Sequence, residues 1–297
     1  MSVINSLGFI TRHPLTRHAR LAALTRWLRW QVGSRLLPGP VIVPFVNDAR
    51  LIVQPGMTGA TGNIYCGLHE FEDMALVLHA LRPDDVFVDV GANVGSYTVL
   101  AGGAAGARCI SIEPIPGTFA WLRQNIAING LSDRVQALNI GVGRAAGTLR
   151  FTGGLDTTNH VLDDDERVAD TLAMPVQTLD AVLNEVGPTL IKIDVEGFET
   201  EVVAGAERTL GSPDLLAVIM ELNGSGDRYG FDEDALHQRM MEFGFESCHY
   251  RPFERELEIL HGARAGSGNT LYVRDVAKLA GRVKTAPRFH LGIGVGI

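Results

Sequence analysis

A short glycine-rich turn carries residue types that could bind a charged small molecule. The predicted strand VFVDV (86–90) runs into Gly91, Asn93 and Gly95, so the spacing is D-x-G-x-N-x-G with Asp89 still in the strand. Glycine permits a tight turn and a close approach of the backbone to a ligand, and asparagine tolerates a left-handed backbone. A carboxylate suits a phosphate poorly, but it can accept hydrogen bonds from an ammonium group. The turn therefore predicts a cationic or zwitterionic ligand.

A second acid, Glu113, ends the next predicted strand, 18 residues after Gly95. A carboxylate at this place in a nucleotide-binding βαβ unit can accept hydrogen bonds from ribose hydroxyls. Together with Asp89, it indicates a nucleoside whose other end is positively charged. S-adenosylmethionine fits this description, whereas NAD fits poorly because it carries a pyrophosphate. A nicotinamide-dependent oxidoreductase on the same fold remains the alternative enzyme.

The segment LIKIDV (190–195) places a lysine inside an apolar strand. Alternate side chains of a strand point to opposite faces, so Lys192 and Asp194 share one face. A buried lysine is costly unless it is paired, and Asp194 is its natural partner. Because the carboxyl end of this strand should face the reacting atoms, we predict that both residues are catalytic. The alternative is a purely structural ion pair.

S-adenosylmethionine is a methyl donor. An alcohol that accepts its methyl group must also lose a proton, so a general base is expected. His160, in the polar segment TTNH (157–160), is predicted to be catalytic because imidazole titrates near neutral pH. The alternative is an ordinary histidine in a surface loop. The other candidate bases are Asp194, Glu196, Glu221 and His69.

A divalent metal is a further open question. Glu221 and Asn223 follow a predicted strand and could join Asp194 as oxygen ligands for Mg²⁺. We expect a metal-free hydrogen-bonded network there instead. The segments 153–175 and 223–231 are expected to build the pocket for the acceptor.

Short apolar runs alternate with helical patterns from residue 86 onward, which indicates an open, doubly wound α/β sheet with helices on both faces. A helix is predicted from Pro116, another on the face shared by Val203, Ala206 and Leu210, and a third after Asp232. A hairpin is predicted at 41–54. The predicted strands are VFVDV (86–90), RCISIE (108–113), VQALNI (135–140), LIKIDV (190–195), LAVIMEL (216–222), ESCHY (246–250) and NTLYVR (269–274).

Four segments in order resemble one family, the FkbM-type S-adenosylmethionine-dependent methyltransferases. They are GNIYCGLHEFEDM (62–74), VDVGANVGSYT (88–98), IEP (112–114) and LIKIDVEGFE (190–199). The resemblance implies a class I Rossmann-like fold with seven mostly parallel strands, the last antiparallel. It also implies methylation of a hydroxyl on a sugar, a glycolipid or a secondary metabolite.

The resemblance also implies residues for the cofactor, S-adenosylmethionine. The cofactor turn matches at Asp89, Gly91, Asn93 and Gly95, and the ribose acid matches at Glu113. Tyr65 and Glu70 match positions that would approach the methionine end of the cofactor. Asn139 and Gly141 would lie near the adenine.

Composition narrows the class of protein. The chain has 297 residues and a net charge of −8, which argues against nucleic acid as a partner. Three scattered cysteines predict neither a disulfide framework nor a zinc site. We see no signal peptide and no apolar run of about 20 residues, and we expect a cytoplasmic protein. The predicted divisions are a basic helical extension (1–40), a hairpin and lead-in helix (41–85), the methyltransferase domain (86–275) and a tail (276–297).

The N-terminal extension is unusually basic. Residues 1–47 contain six arginines and no acid, while Leu21, Leu24, Leu28 and Val32 recur at helical spacing. One interpretation is peripheral contact of residues 12–35 with the inner membrane surface. It leaves open a second alternative function, that of a non-catalytic, membrane-associated protein that binds the cofactor. The sequence favours an ordinary helix packed on the body of the protein or at a dimer seam, because six charges spread over this length are sparse for lipid recognition. The oligomeric state is left open.

Overall fold

A computed structural model describes residues 3–153, 159–162, 171–265 and 268–297 of the chain. The strands are β1 (Val41–Pro44), β2 (Arg50–Val53), β3 (Val86–Val90), β4 (Arg108–Ile112), β5 (Val135–Leu138), β6 (Gly141–Val142), β7 (Gly147–Thr152), β8 (Thr171–Gln177), β9 (Leu190–Ile193), β10 (Ala217–Glu221), β11 (Glu246–Arg251), β12 (Glu256–Ile259) and β13 (Asn269–Val273). The α-helices are α1 (Val3–Arg12), α2 (Arg20–Leu36), α3 (Thr58–Cys66), α4 (Phe71–Ala80), α5 (Ser96–Val99), α6 (Pro116–Ile128), α7 (Leu179–Leu183), α8 (Glu199–Ala204), α9 (Glu207–Leu210), α10 (Glu233–Glu242) and α11 (Val276–Lys284).

An eight-stranded sheet forms the centre of the protein, in the order β12-β11-β13-β10-β9-β3-β4-β5. Strands β5, β4, β3, β9 and β10 run parallel, and β13, the last strand of the chain, pairs antiparallel with β10 and β11. The predicted class I fold is therefore confirmed, with one difference in strand count. The sheet has eight strands rather than seven because β12 folds back on β11 and extends the edge.

Helices cover both faces of the sheet, as the alternating pattern predicts. Side chains of α4, α6 and α11 pack on one face with the β1–β2 hairpin, and those of α7 to α10 pack on the other. Burial on both faces explains why the central strands are runs of Val and Ile without polar alternation. The buried polar residues in β3, β4 and β9 are Asp89, Ser111 and Lys192, and all three lie on the same face near the carboxyl edge.

The helix predicted on Val203, Ala206 and Leu210 is divided into α8 and α9. The break falls at Gly205, where an added Cβ would lie 2.1 Å from the carbonyl oxygen of Gly143. The chain therefore passes too close to its neighbour for a side chain at this position. Val203, Ala206 and Leu210 are nonetheless all buried, so the apolar face was predicted correctly and the continuity of the helix was not.

A small second sheet, in the order β6-β8-β7, was not predicted from the sequence. Strands β7 and β8 pair antiparallel over six residues, and β6 adds to β8 in parallel. On the buried side of this sheet, Phe151 of β7 and Val176 of β8 form an apolar cluster with Ile115 and Val161. The sheet stands beside the carboxyl end of β4 and builds one wall of the site described below.

The two ends of the chain pack on different parts of the protein. Val46, beyond β1, forms an isolated antiparallel bridge with Leu291 in the C-terminal segment. At the other end, α2 packs through Ala23 against Ile10 and Tyr65. In the described part of the chain, no helix combines the length and the apolar character needed to cross a lipid bilayer.

Candidate active site

A crevice of about 280 Å³ opens where the carboxyl ends of β3, β4 and β9 meet. The strand order reverses on either side of β3, so this is the topological switch point at which doubly wound sheets bind their ligands. Among the predicted site residues, those that line the crevice are Glu70, Asp89, Gly91, Asn93, Glu113, Gly141, His160, Lys192 and Asp194.

The turn after β3 has the left-handed backbone that its glycines and asparagine predict. Gly91 has φ +81°, Asn93 +50° and Gly95 +91°. An added Cβ on Gly91 would lie 1.8 Å from the carbonyl oxygen of Asp194, so no side chain fits there. Gly95 does not line the crevice. Its missing side chain instead leaves room for Leu122 of α6, whose Cδ1 would lie 2.6 Å from an added Cβ.

Asp89 is buried at the end of β3, with one carboxylate oxygen held in place. Thr98 Oγ1 donates to Asp89 Oδ2 at 2.7 Å and lies 2.8 Å from Ser111 Oγ. Burial raises the pKa of Asp89 to about 6, although the positive charge of Lys192 opposes this shift. A cationic ligand would favour the ionised carboxylate, so Asp89 is suited to receive one.

Glu113 is held by the main chain of two loops. The amide of Ile115 donates to Oε1 at 2.8 Å, and the amide of Asn93 donates to Oε2 at 3.0 Å. Burial raises the pKa of Glu113 to about 7 against these hydrogen bonds. Each carboxylate oxygen has a second lone pair, so the group can still accept hydrogen bonds from two vicinal hydroxyls.

The Lys192 ammonium is enclosed between acids and an aromatic ring. Its Nζ lies 2.5 Å from Asp194 Oδ2 and 4.7 Å from the ring centroid of Tyr97. Burial opposes its charge, but the carboxylates of Asp194, Glu70 and Asp89 raise the pKa of Lys192 above its ordinary value. The lysine therefore stays charged and holds Asp194 at the edge of the crevice.

Tyr97 is a site residue that sequence reasoning missed. Its hydroxyl donates to Glu70 Oε2 at 2.7 Å, so it orients the acid expected near the methionine end of the cofactor. The only sequence signal was the position of Tyr97 two residues after the glycine turn, inside the motif VGSYT. Its contact with Glu70 joins residues that are far apart in the sequence.

Besides Gly95, two predicted cofactor residues, Tyr65 and Asn139, do not line the crevice. Tyr65 does not line the crevice, because it lies on the side of α3 that packs against α2, where Gln31 Nε2 donates to its hydroxyl at 3.4 Å. It lines a second cavity, of about 450 Å³, bounded by α1, α2 and α3. Asn139 also stays outside the crevice. Its Nδ2 donates to the carbonyl oxygens of Glu113 and Pro114 at 2.8 and 2.9 Å and so fixes the loop that presents Glu113.

Three acids meet beyond the carboxyl ends of β9 and β10. Asp194, Glu196 and Glu221 each offer a carboxylate oxygen, and these oxygens lie within 4.8 Å of one another. Such a group could hold a divalent cation or share a proton. The oxygen Oδ1 of Asn223 accepts from the amide of Ser225 at 2.9 Å, at the start of the 3-10 helix Ser225–Tyr229. The Mg²⁺ ligand set considered from the sequence, Asp194 with Glu221 and Asn223, stays a prediction.

Within this group, the acids differ in their affinity for protons. Burial, and then the charge of Asp194, raise the pKa of Glu196 to about 7. Burial, followed by Asp194 and Glu196, raises the pKa of Glu221 to about 9. The oxygen Oε2 of Glu221 is buried with no hydrogen-bond partner among the described residues. At neutral pH Glu221 therefore keeps its proton, and of the two glutamates Glu196 has the pKa nearer neutrality.

His160 lies on the wall formed by the small sheet. It is buried, its amide donates to Thr152 Oγ1 at 3.0 Å, and it lines the crevice beside Phe151 and Val161. Tyr229, in the predicted acceptor segment 223–231, donates its hydroxyl to the carbonyl of Val161 at 2.6 Å. Of the other predicted acceptor segment, 153–175, residues 154–158 and 163–170 lie outside the described part of the chain.

The strand order and the two acids that flank the turn define a class I methyltransferase-type Rossmann fold. The family profile described as methyltransferase FkbM domain matches residues 89–252, more than half of the chain. The chain therefore belongs to the FkbM methyltransferase family, and the resemblance noted in the sequence is confirmed.

Named relatives agree with this assignment. Over 167 residues, the chain is 30% identical to hexuronic acid methyltransferase AglP of Haloferax volcanii, a match that covers 53% of this chain and 64% of the relative. Over 171 residues, it is 28% identical to methyltransferase sdnD of Sordaria araneosa, covering 46% of this chain and 66% of the relative. Each match thus spans less than two thirds of the relative. The crystal structure of methyltransferase FkbM from Methylobacillus flagellatus KT has 17% identity and a TM-score of 0.46, covering 72% of this chain and 52% of that one.

Proposed function

We propose that this protein is an S-adenosylmethionine-dependent methyltransferase whose acceptor is a hydroxyl group of a sugar, a glycolipid or another glycosylated metabolite. The observation that carries the proposal is the arrangement of Asp89 and Glu113 at the ends of adjacent strands, on either side of the left-handed turn. The sugar acceptor is supported by the relative named as a hexuronic acid methyltransferase.

The charge of the crevice favours this donor over a dinucleotide. Among the described lining residues, one ammonium group, that of Lys192, faces six carboxyl groups. Negative potential attracts a sulfonium and an ammonium group and repels a pyrophosphate. This excess of carboxyl groups argues against a nicotinamide dinucleotide as the ligand. The six carboxyl groups are those of Glu70, Asp89, Glu113, Asp194, Glu196 and Glu221.

In a methyl transfer, different residues of the crevice would bind different parts of the donor. When bound, S-adenosylmethionine supplies an electrophilic methyl group on a positively charged sulfur. Glu113 accepts hydrogen bonds from the ribose hydroxyls, and Asp89 receives the ammonium group directly or through water. Glu70, oriented by Tyr97, contributes a further negative charge. These contacts fix the donor so that the remaining task is to align an acceptor oxygen.

A group near Asp194 takes the proton of the acceptor hydroxyl. Several of the predicted bases line the crevice, among them Glu196 and His160. Glu196 has the stronger claim, because it lies in the acid group with Asp194, and its pKa of about 7 lies near the operating pH of a general base. The Lys192 ammonium holds the Asp194 side chain in place through their ion pair, beside the base.

Calorimetry on the full chain tests the donor. We expect S-adenosylmethionine and its demethylated product to bind, and Asp89→Asn and Glu113→Gln each to weaken binding by about 10–100-fold, the value of one charged hydrogen-bonding group. Asp133→Asn, an exposed acid outside the crevice, is the matched control and should bind as the unaltered protein does. Binding of NADH in place of S-adenosylmethionine would overturn the proposal. A labelled-methyl screen over glycans and lipids then identifies the acceptor.

A further inference from the structure

Helix α2 presents a row of apolar side chains to solvent. Leu21 is 82% exposed, Leu28 55%, Val32 49% and Leu36 73%. Their spacings of seven, four and four residues place them on one side of the helix. We call these four residues the outer face of α2. Exposed apolar residues are ordinary when single, but a continuous row of this kind marks an interaction surface.

The opposite side of α2 is already occupied. Ala23 is fully buried and packs with Ile10 and Tyr65, while Trp27 and Trp30 lie against the same cluster. Arg26 donates to the carbonyl oxygen of Tyr65 at 2.8 Å from its terminal nitrogen. These contacts fix the rotation of the helix, so the outer face cannot turn inward to bury itself.

Helix α2 and the segment before it carry exposed arginines without acidic partners, three of them (Arg20, Arg29 and Arg35) on α2 itself. Of the six arginines in residues 1–47, all but Arg26 are exposed, and in the described part of the chain none of these five forms an ion pair with a carboxylate. The rest of the chain is strongly acidic, with 26 − 6 = 20 bases against 34 acids. The exposed five are Arg12, Arg17, Arg20, Arg29 and Arg35.

We propose that the outer face of α2 docks this protein on an anionic lipid bilayer. Apolar side chains flanked by guanidinium groups match the boundary between acyl chains and lipid phosphates. The acidic remainder of the chain is repelled by the same surface, which directs this end of the molecule toward it. A second copy of the chain is the poorer occupant, because a twofold seam on α2 would bring two sets of unpaired arginines together.

The position of α2 relates this surface to the crevice. Trp30, Gln31 and Ser34, on other sides of the same helix, line the second cavity, which shares Thr58 and His69 with the crevice. Helix α2 therefore lies between the docking surface and a cavity that adjoins the crevice. Docking would bring a lipid-linked acceptor to this side of the enzyme.

Co-sedimentation with vesicles tests the docking surface. The full chain should bind phosphatidylcholine vesicles that contain phosphatidylglycerol at least tenfold more tightly than pure phosphatidylcholine vesicles, and added salt should weaken this binding. The double variant Leu28→Ser/Val32→Ser should lose at least tenfold in affinity for the anionic vesicles. The matched control is Val186→Ser/Phe253→Ser, which removes two exposed apolar side chains elsewhere and should bind as the unaltered protein does.

Two results would overturn the proposal. One is equal binding of the unaltered chain and the Leu28→Ser/Val32→Ser variant to anionic vesicles, or no binding by either. The other is a dimer in sedimentation equilibrium that this variant dissociates, which would assign the outer face to a second copy. S-adenosylmethionine affinity, measured on the same samples, should be unchanged, so a failure of docking is distinguishable from a failure of the proposed activity.

Discussion

Asp89 and Lys192 lie directly opposite each other on the adjacent parallel strands β3 and β9, and both are almost completely buried. The same ammonium group contacts Asp194 two residues further on. Asp89, which we expect to face the methyl donor, therefore lies next to the Lys192–Asp194 ion pair, which we expect to face the acceptor. Their relative position is set by the hydrogen bonds of the sheet.

Removal of the buried ammonium should be costly. Lys192→Met leaves Asp194, Glu70 and Asp89 without their cation, and we expect the free energy of unfolding to fall by about 3–5 kcal/mol. Urea denaturation at neutral pH measures the change. Arg144→Met is the control, because it breaks an ion pair with Glu201 in which the arginine is exposed, and it should cost at most about 1 kcal/mol. Equal effects of the two variants would contradict the central role given to Lys192.

The turn after β3 should tolerate no side chain at residue 91. Gly91→Ala adds a Cβ next to the Asp194 carbonyl at a positive φ, so we expect a loss of about 2 kcal/mol or more and loss of donor binding. Thermal melts and calorimetry check both. The matched control is Gly117→Ala in α6, where an added Cβ has no neighbour within 4 Å, and its effect should stay within about 1 kcal/mol.

Stability of the free protein should fall as the pH rises from about 5 to 9. Burial raises the pKa of Asp89 to about 6, of Glu113 to about 7 and of Glu221 to about 9. The folded protein therefore keeps protons that the unfolded chain releases near pH 4, and it loses stability as the pH passes each raised value. Melting temperature against pH gives the slope. Glu221→Gln, which cannot ionise, should flatten the slope between pH 7 and 9, and an unchanged slope would count against the buried acid group.

The rate of methyl transfer should rise with pH and level off. A base must be deprotonated to act, so the rising limb of the pH–rate profile should be centred near the pKa of Glu196, about 7. Glu196→Gln should lower kcat by about 10²–10⁴-fold and abolish the limb, with S-adenosylmethionine affinity unchanged. His160→Gln is the comparison and should retain the limb. The opposite result would identify His160 as the base, as the sequence predicts.

Chelation should leave the activity intact. The Lys192 ammonium already contacts Asp194, and Glu221 holds a proton at neutral pH, so the three acids have no strong need of a cation. We expect turnover after dialysis against EDTA to match that of the untreated enzyme. A loss of tenfold or more that Mg²⁺ restores would show instead that Asp194, Glu196 and Glu221 are metal ligands.

The sequence predicted most reliably what is determined by local pattern. VFVDV begins and ends as β3 does, because a short run of Val and Phe between turn signals has few other ways to be buried. The backbone conformation of the turn after β3 is predicted equally well, because glycine and asparagine at this spacing indicate a left-handed backbone. The carboxyl edge of the sheet then identified Asp89, Glu113 and Asp194 as neighbours of one crevice.

Features that depend on distant segments escaped prediction. The sequence pointed to Tyr65 and missed Tyr97, because the packing of α3 against α2, which places Tyr65 away from the crevice, joins distant segments. The break at Gly205 depends on Gly143, which approaches it from another part of the chain. Strand β8 carries polar residues and Pro175, so it is recognisable as a strand only once β7 lies beside it.

The amide of Asp194 donates to the carbonyl of Val90 at 3.0 Å, immediately before the point where Gly91 lies against the Asp194 carbonyl. The glycine turn after β3 and the segment that carries Asp194 are thus held together by main-chain contacts. The segments that form the walls of the crevice can differ in sequence without moving this junction. New specificities should therefore arise by replacing the walls of the crevice while its floor stays the same.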